Sequence, residues 1–329
     1  MTPLTIRTTD LVTPRQEPGA MAARAVQAMP RLTTTVPREY VHRASHAEVF
    51  LTGCEQLGDG RFALTGQWPR THTFFTSADG THHDALQAAE TIRQTGLFLA
   101  HAEFDVPLGH QFLLRDLHLS TSVQDMVIGP GPSELSLAAV CTDVVRRGRR
   151  VSEFRMDITI ERAGGRCAAG GGRFACVSEA TYRRLRGTAS CARPPARAQP
   201  HRTLAPAAAG KAVPADVVLC ATDRAGRWLL DPDPRHPILF EHAGDHFPGM
   251  VLLEAARQAA GALGGPLTLT PTSVRADFHQ YAEFGPPVWI EAAPLPADRA
   301  GRLSARITGL QQDRAVFTAR VDGTLSSPA

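Results

Sequence analysis

The chain has 329 residues, of which 43% are apolar, and a net charge of +3 from 35 basic and 32 acidic side chains. This length predicts two domains of about 150 residues each, and the apolar fraction is large enough for two packed cores, which excludes a disordered chain. The near balance of charge excludes a protein that attracts nucleic acid over its whole surface.

Residues 1–37 have no hydrophobic period and predict a poorly ordered leader. The first predicted domain then covers 38–186. It begins with short strands at 48–52 and 61–65, which flank an Asp-Gly turn and therefore predict a hairpin. Four further strands follow the predicted helix of this domain, at 112–121, 135–145, 151–162 and 173–177.

The predicted helix of the first domain begins after Asp84. This aspartate is a candidate N-cap, and Gln87 is placed to reach back in a capping box. Apolar residues at helical spacing then continue to about His101. One helix followed by a meander of strands predicts an α+β domain whose sheet wraps the helix. The triple glycine at 170–172 precedes the last predicted strand and indicates a turn or bulge.

Residues 187–212 are rich in alanine and proline, lack aromatic side chains and predict a linker. The second predicted domain, 213–326, repeats the order of the first. The matching segments are 48–51 with 216–219, 60–64 with 226–230, 69–70 with 234–235, and 86–96 with 250–261. The shared order of the segments, with glycine and proline at corresponding places, predicts a tandem duplication of one α+β unit.

Both predicted helices carry the pattern Glu-x-x-Arg-Gln. The six residues concerned are Glu90, Arg93 and Gln94 in the first copy and Glu254, Arg257 and Gln258 in the second. On a helix, positions three apart share a face, so a lone pair of this kind is most often a surface ion pair. Here the charges interrupt helices that are otherwise apolar, and a buried charge must be paired or used. The pattern therefore favours a functional role in both copies.

Two further features precede these helices. His82 and His246 lie at the same distance before their glutamates, where a histidine could accept a hydroxyl proton. Pro248 and Gly249 begin the second helix, and such a start lets a ligand approach the exposed amide groups, although proline and glycine also suit a plain helix start.

Catalytic and metal-binding motifs of other classes are missing from the sequence. It has no Gly-x-Ser-x-Gly elbow, Walker loop or dinucleotide fingerprint. None of the six cysteines forms a Cys-x-x-Cys pair, and no histidine cluster completes a zinc spacing. We therefore expect neither a metal nor a cofactor. Since the N-terminus lacks an apolar signal and no apolar run approaches the ~20 residues of a membrane span, the sequence predicts a soluble cytoplasmic protein.

Several segments together resemble a known family. The stretch from His242 to Gln258 looks like the central helix of hot-dog proteins, in particular hydroxyacyl-carrier-protein dehydratases. The first copy is similar to the A-factor biosynthesis proteins, which make γ-butyrolactone autoregulators. The segments that carry this second resemblance are 41–43, 67–72, 83–84, 90–94, 177–178 and 182–184. The resemblance spans about 40–325 without the linker and implies a tandem double hot-dog fold, in which a sheet wraps a long central helix in each half.

The same resemblance implies an acyltransferase. A β-ketoacyl group would pass from an acyl carrier protein or coenzyme A thioester to the hydroxyl of dihydroxyacetone phosphate. Glu90 or Glu254, with His82 or His246, would deprotonate the hydroxyl. The amides at Gly249 would polarise the thioester, and an arginine would hold the phosphate. Arg93, Arg257, Gln94 and Gln258 complete the predicted substrate-binding set.

Two alternatives stay open from the sequence. The first is a thioesterase or dehydratase on the same fold, although the histidine of the dehydratases, which lies farther before its glutamate than His246 does, has no clear match. The second is a non-catalytic module that binds an acyl ligand, with structural Glu–Arg pairs. A regulator that binds DNA is disfavoured because there is neither a recognition-helix pattern nor a basic patch. The acyl length, the active copy and the oligomeric state are left open.

Overall fold

The computed structural model describes residues 34–198, 202–241, 244–296 and 300–327. Most of the predicted leader, and His242 at the start of the hot-dog-like segment, lie outside the described residues. Among the described helices, none is long and apolar enough to cross a membrane.

The described strands form one antiparallel sheet with a mirrored order. Its twelve strands run β1-β2-β4-β5-β6-β3 in the first half and β9-β12-β11-β10-β8-β7 in the second. The strands are β1 Leu51–Gly58, β2 Arg61–Trp68, β3 Gln111–Thr121, β4 Ser133–Arg147, β5 Arg150–Arg162, β6 Gly165–Val177, β7 Leu219–Ala221, β8 Arg227–Leu230, β9 Thr268–Phe278, β10 Val288–Leu295, β11 Arg302–Gln311 and β12 Arg314–Ser326. The halves join where β3 pairs antiparallel with β9, with Leu117 opposite Ala276. Each half thus repeats the other about this junction.

Two long helices lie inside this sheet. They are α1, Ala85–Ala102, and α3, Gly249–Leu263, and a short helix α2, Glu179–Arg186, ends the first half. In α1 every residue from Ala85 to His101 except Arg93 is buried, and in α3 every residue from Met250 to Gly261 is buried. A helix that is apolar around its whole circumference is stable only when it is enclosed. The structure confirms the predicted α+β tandem double hot-dog fold.

The prediction for the triple glycine was wrong. Gly170, Gly171 and Gly172 lie inside β6, which begins at Gly165. A Cβ atom at each would lie 2.1–2.4 Å from a backbone oxygen of a neighbouring strand. No side chain can be accommodated at such distances. The three glycines therefore allow β6 to approach its neighbours β3 and β5 closely.

Two other local predictions need correction. Asp84 does cap α1, since its Oδ1 accepts from Leu86 N at 2.8 Å, but the Gln87 side chain contacts His83 and does not complete a capping box. Helix α2 was not predicted, because its sequence of charged residues has no apolar period. Ser178 caps it, and the helix packs through its only two buried side chains, Tyr182 and Arg186.

Candidate active site

Glu90 is fully buried on α1 and surrounded by donors. Its carboxylate accepts hydrogen bonds from Arg43 Nε at 3.0 Å, Arg93 Nε at 2.9 Å and Gln94 Nε2 at 2.8 Å. Burial acts to raise the pKa of the Glu90 carboxyl, but the guanidinium groups of Arg43 and Arg93 outweigh it and lower that pKa to about 2. The carboxylate is therefore held ionised and is a weak proton acceptor at neutral pH.

Glu254 has the equivalent surroundings on α3. It accepts from Arg257 Nε at 3.0 Å and Gln258 Nε2 at 2.6 Å, and Lys211 Nζ lies 3.5 Å away. Burial again acts to raise the pKa of this carboxyl, yet Arg257 and Lys211 keep it below its ordinary value. Lys211 belongs to the segment predicted as a linker, but it is buried, and burial lowers the pKa of its amine.

The side chains of Gln94 and Gln258 hydrogen-bond to the backbone just before the first strand of their own half. Gln94 accepts from Phe50 N at 2.9 Å and donates to Glu48 O at 2.6 Å. Gln258 accepts from Val218 N at 2.9 Å and donates to Asp216 O at 2.8 Å. Both the oxygen and the nitrogen of each side-chain amide thus bond to protein backbone. The two glutamines, which were predicted to bind substrate, therefore fix the backbone next to each helix.

A second repeated histidine pair was not predicted from the sequence. His72 lies 3.2 Å from Glu48 through Nε2, and its Nδ1 accepts from Phe74 N and Phe75 N at 3.1 Å. His236 makes the same contacts with Asp216, Ile238 and Leu239. Because Nδ1 accepts, Nε2 carries the proton in both rings. His72 precedes Glu90 in the sequence by the same number of residues as His236 precedes Glu254. This equal spacing could have indicated the pair.

The two charged clusters join the halves. Arg43, of the first half, lies 2.6 Å from Glu90 and 2.8 Å from Glu241 of the second half, and it donates to Ile238 O at 3.3 Å. Lys211 bridges in the opposite direction, from Glu254 to Asp84 at 4.0 Å. The Glu90 cluster is thereby fixed to residues 238–241, which precede α3.

Arg93 and Arg257 differ in accessibility. The Arg93 side chain is 18% exposed, whereas that of Arg257 is 4% exposed. Arg257 also lies 3.8 Å from Asp84 and donates to Ala209 O at 3.0 Å, so protein groups surround its guanidinium. Arg93 makes the matching bond to Val41 O at 3.3 Å, but of the two predicted phosphate-binding arginines it is the more exposed.

The N-termini of the two long helices also differ. At α1 the Asp84 carboxylate caps the helix, and it is itself held near Lys211 and Arg257. At α3 the N-cap residue is Pro248, and no side chain within the described ranges caps the helix. A Cβ atom at Gly249 would meet only the Phe278 ring, at 3.7 Å, so the packing leaves room there. The start of α3 offers uncapped amides, as the Pro-Gly pair suggested.

His82 and His246 occupy equivalent places with different neighbours. Each forms an isolated backbone bridge, His82 with Val127 and His246 with Glu283. The His82 ring lies 2.7 Å from the Thr81 hydroxyl, whereas His246 Nδ1 lies 2.6 Å from Asp245 Oδ1. In the part of the chain that the structure describes, neither ring hydrogen-bonds to a helix glutamate.

Comparison with known proteins gives a consistent result. The model of the A-factor biosynthesis hotdog domain matches residues 25–178 and again 192–327. The chain is 49% identical to a 2-oxo-3-(phosphooxy)propyl 3-oxoalkanoate synthase of Streptomyces virginiae, over 87% of this chain and 97% of that protein. It is 36% identical to synthases of the same name from Streptomyces griseus, over 87% and 94%, and Streptomyces coelicolor strain A3(2), over 89% and 92%.

Proposed function

The chain belongs to the A-factor biosynthesis hotdog family, and on that premise we propose that it transfers a 3-oxoacyl group from a thioester to the hydroxyl of dihydroxyacetone phosphate. The name of the relatives describes the product as an ester between a 3-oxoalkanoate and a 2-oxo-3-(phosphooxy)propyl group. Attack of that hydroxyl on an acyl thioester makes this ester directly. The enzyme is an acyltransferase.

The observation that carries the proposal for this chain is the uncapped start of α3, three residues after His246 in the sequence. Amide groups at a helix N-terminus carry partial positive charge and stabilise an oxyanion. We place the thioester carbonyl at the amides of Gly249 and Met250. The equivalent place on α1 is filled by the Asp84 carboxylate, which would repel the same charge.

The reaction then needs one proton-transfer group. His246 accepts the proton of the acceptor hydroxyl as its oxygen attacks the thioester carbon, and the α3 amides stabilise the tetrahedral oxyanion. The carbon–sulfur bond breaks, and the leaving thiolate takes the proton back from His246. The products are the ester and the free thiol of the donor.

We assign Glu90 and Glu254 to holding arginines and not to proton transfer. A general base works best with a pKa near the working pH, and a pKa of about 2 makes the Glu90 carboxylate a poor one. Glu90 instead fixes the guanidinium of Arg93, which is partly exposed and suited to bind the phosphate of the acceptor. Glu254 and the enclosed Arg257 support the fold in the other half.

The test measures thiol release from 3-oxoacyl thioesters of coenzyme A and of acyl carrier protein, with and without dihydroxyacetone phosphate. We expect release that depends on the acceptor, and an ester product in the mass spectrum. Release of free acid without the acceptor would instead identify a thioesterase. Dehydration of a 3-hydroxyacyl thioester without thiol release would identify a dehydratase, and binding without turnover would identify a binding module.

A further inference from the structure

A cluster of polar side chains from both halves surrounds His246. Asp245 accepts hydrogen bonds from His246 Nδ1 at 2.6 Å and from the Tyr182 hydroxyl at 2.7 Å, both on Oδ1. Arg186 Nε donates to its Oδ2 at 3.2 Å. Tyr182 and Arg186 lie on α2, at the end of the first half, whereas Asp245 and His246 precede α3 of the second half.

The carboxylate determines which nitrogen of His246 carries the proton. Burial acts to raise the pKa of Asp245, but the bonds from His246, Tyr182 and Arg186 lower it well below its ordinary range, so the carboxylate only accepts. His246 Nδ1 must then be the donor, which leaves Nε2 unprotonated in the neutral ring. The side chain of His246 is 29% exposed, so the ring is partly accessible to a substrate.

Helix α2 holds this arrangement from the other side as well. Arg186 forms a bidentate ion pair with Glu283, through Nη2 to Oε2 at 2.7 Å and through Nη1 to Oε1. Glu283 forms the backbone bridge to His246, and its own backbone is held by Gln311 at 2.9 Å. Two residues of α2 therefore fix both the carboxylate partner and the backbone partner of His246.

A buried hydroxyl beside His246 lacks a partner. Tyr281 packs edge-on against the His246 ring, with 4.7 Å between ring centroids, and the Arg186 guanidinium lies 4.1 Å over its face. Within the described residues its hydroxyl oxygen is buried and makes no hydrogen bond. Buried polar groups are normally paired, so an unpaired one next to a candidate base indicates a site that a ligand completes.

The first half has no such cluster. At its equivalent place the His82 ring contacts the Thr81 hydroxyl, and no carboxylate in the described parts of the chain hydrogen-bonds to it. Val127 stands where Glu283 stands in the second half, as the two backbone bridges show. The contacts of His246 with a carboxylate and with Glu283 are therefore specific to the second half.

We propose that Asp245, held by Tyr182 and Arg186 of α2, is a positioning residue that fixes His246 with Nε2 free, so that the first half completes a proton-transfer site present only in the second. This inference rests on the proposed acyl transfer for its catalytic consequence. The placement of the proton on His246 does not depend on turnover. The protonation of the His246 ring and the rate of acyl transfer can therefore be measured separately.

The first measurement is nitrogen NMR of the protein labelled in its histidine rings, with the His246 signals identified by their loss in His246→Asn. We expect Nδ1 to be protonated in the wild type and this preference to be lost in Asp245→Asn. A wild-type ring protonated on Nε2, or an unchanged ring in Asp245→Asn, would overturn the inference. This result stands even if the wild type shows no acyl transfer, which would refute the proposed function alone.

The second measurement is acyl-transfer kinetics. We expect kcat to fall about 10²-fold in Asp245→Asn with little change in KM, within the range that general-base catalysis contributes. In Tyr182→Phe, which loses one hydrogen bond and keeps the ring, we expect a fall of about fivefold to tenfold. His82→Asn tests the asymmetry and should lower kcat less than His246→Asn does.

The matched control is Arg183→Gln, on the exposed face of α2, whose side chain is 70% exposed and, among the described residues, pairs with Glu179. It should keep wild-type kinetics. Should Asp245→Asn fail to fold, Tyr182→Phe carries the test, since it removes only the hydroxyl and keeps the ring. Wild-type kcat in Tyr182→Phe, or a loss in His82→Asn equal to that of His246→Asn, would contradict the proposal.

Discussion

Arg43 and Lys211 occupy equivalent places in the two halves. Each contacts the helix glutamate of its own half, and each also reaches a carboxylate of the other half: Arg43 reaches Glu241 at 2.8 Å and Lys211 reaches Asp84 at 4.0 Å. These crossed pairs join the two hot-dog units through buried charge, in addition to the pairing of β3 with β9. Removing either cation would leave carboxylates buried without full compensation.

Lys211 is the only lysine of a chain with 35 basic residues, which suggests that arginine does not fit there. Its Nζ lies 3.8 Å over the Phe74 ring and donates to Phe74 O at 3.0 Å, in a fully enclosed site. We expect Lys211→Arg to reduce the free energy of unfolding by about 1–3 kcal/mol, the usual cost of overpacking. Urea denaturation measures this change.

A substitution at the equivalent cation provides the control for that experiment. Arg43→Lys should also destabilise the protein, because lysine cannot make the paired bonds that Arg43 makes to Glu90 and Glu241. If both substitutions left the midpoint of denaturation unchanged, arginine and lysine would be interchangeable at these two positions. The crossed ion pairs would then not require a particular cation.

The Glu90 cluster predicts a pH-dependent stability. Because the folded-state pKa of Glu90 is about 2 and its ordinary value is 4.5, its ionised form stabilises the folded state above pH 4.5. This contribution is lost progressively as the pH falls from 4.5 towards 2. At neutral pH we expect Glu90→Gln to cost about 3–5 kcal/mol, since it breaks a buried pair.

The measurement compares the wild type with Glu90→Gln by urea denaturation at pH 7, 4 and 3. The difference in free energy of unfolding should shrink as the pH falls, because the protonated carboxyl resembles the amide. Other groups, such as His83, whose pKa burial lowers to about 4, titrate in both proteins and cancel in this difference. A difference that stays constant with pH would show that Glu90 is not held ionised.

The sequence predicted the architecture better than the site. Helices α1 and α3 are mostly apolar around their charged residues, and their Glu-x-x-Arg-Gln pattern repeats, so both the elements and the ion pairs within each helix could be found locally. The partners that define the chemistry come from distant segments. Tyr182 reaches Asp245 and Lys211 reaches Asp84 only after the halves have packed. Sequence periodicity describes neighbours on one element and contains no information on such contacts.

Tyr281 should matter for activity and not for stability. Its hydroxyl has no partner in the described residues, so Tyr281→Phe removes a buried polar group that the fold does not satisfy. We expect unchanged or slightly higher stability and a fall of about tenfold in kcat/KM, the worth of one hydrogen bond to substrate. Thermal unfolding and thiol-release kinetics measure the two effects. Unchanged kinetics would show that the hydroxyl does not contact the substrate.

The last prediction concerns Gly249, the first residue of α3. If the amides there bind the thioester carbonyl, a side chain at this position obstructs the ligand and not the fold. A Cβ atom would meet the Phe278 ring at 3.7 Å, an ordinary contact, so Gly249→Ala should fold with wild-type stability. We expect kcat/KM to fall about 10²-fold, the effect of impairing one oxyanion donor.

The same helix provides a matched control for Gly249→Ala. At Gly261 a Cβ atom would lie 3.6 Å from Ala208 O, again an ordinary contact, but this residue is near the other end of α3. Gly261→Ala should therefore keep both stability and activity. Because the two substitutions add the same methyl group to one helix, an equal loss of activity in both would trace the effect to the helix as a whole. Loss in Gly249→Ala alone would place the thioester at the N-terminus of α3.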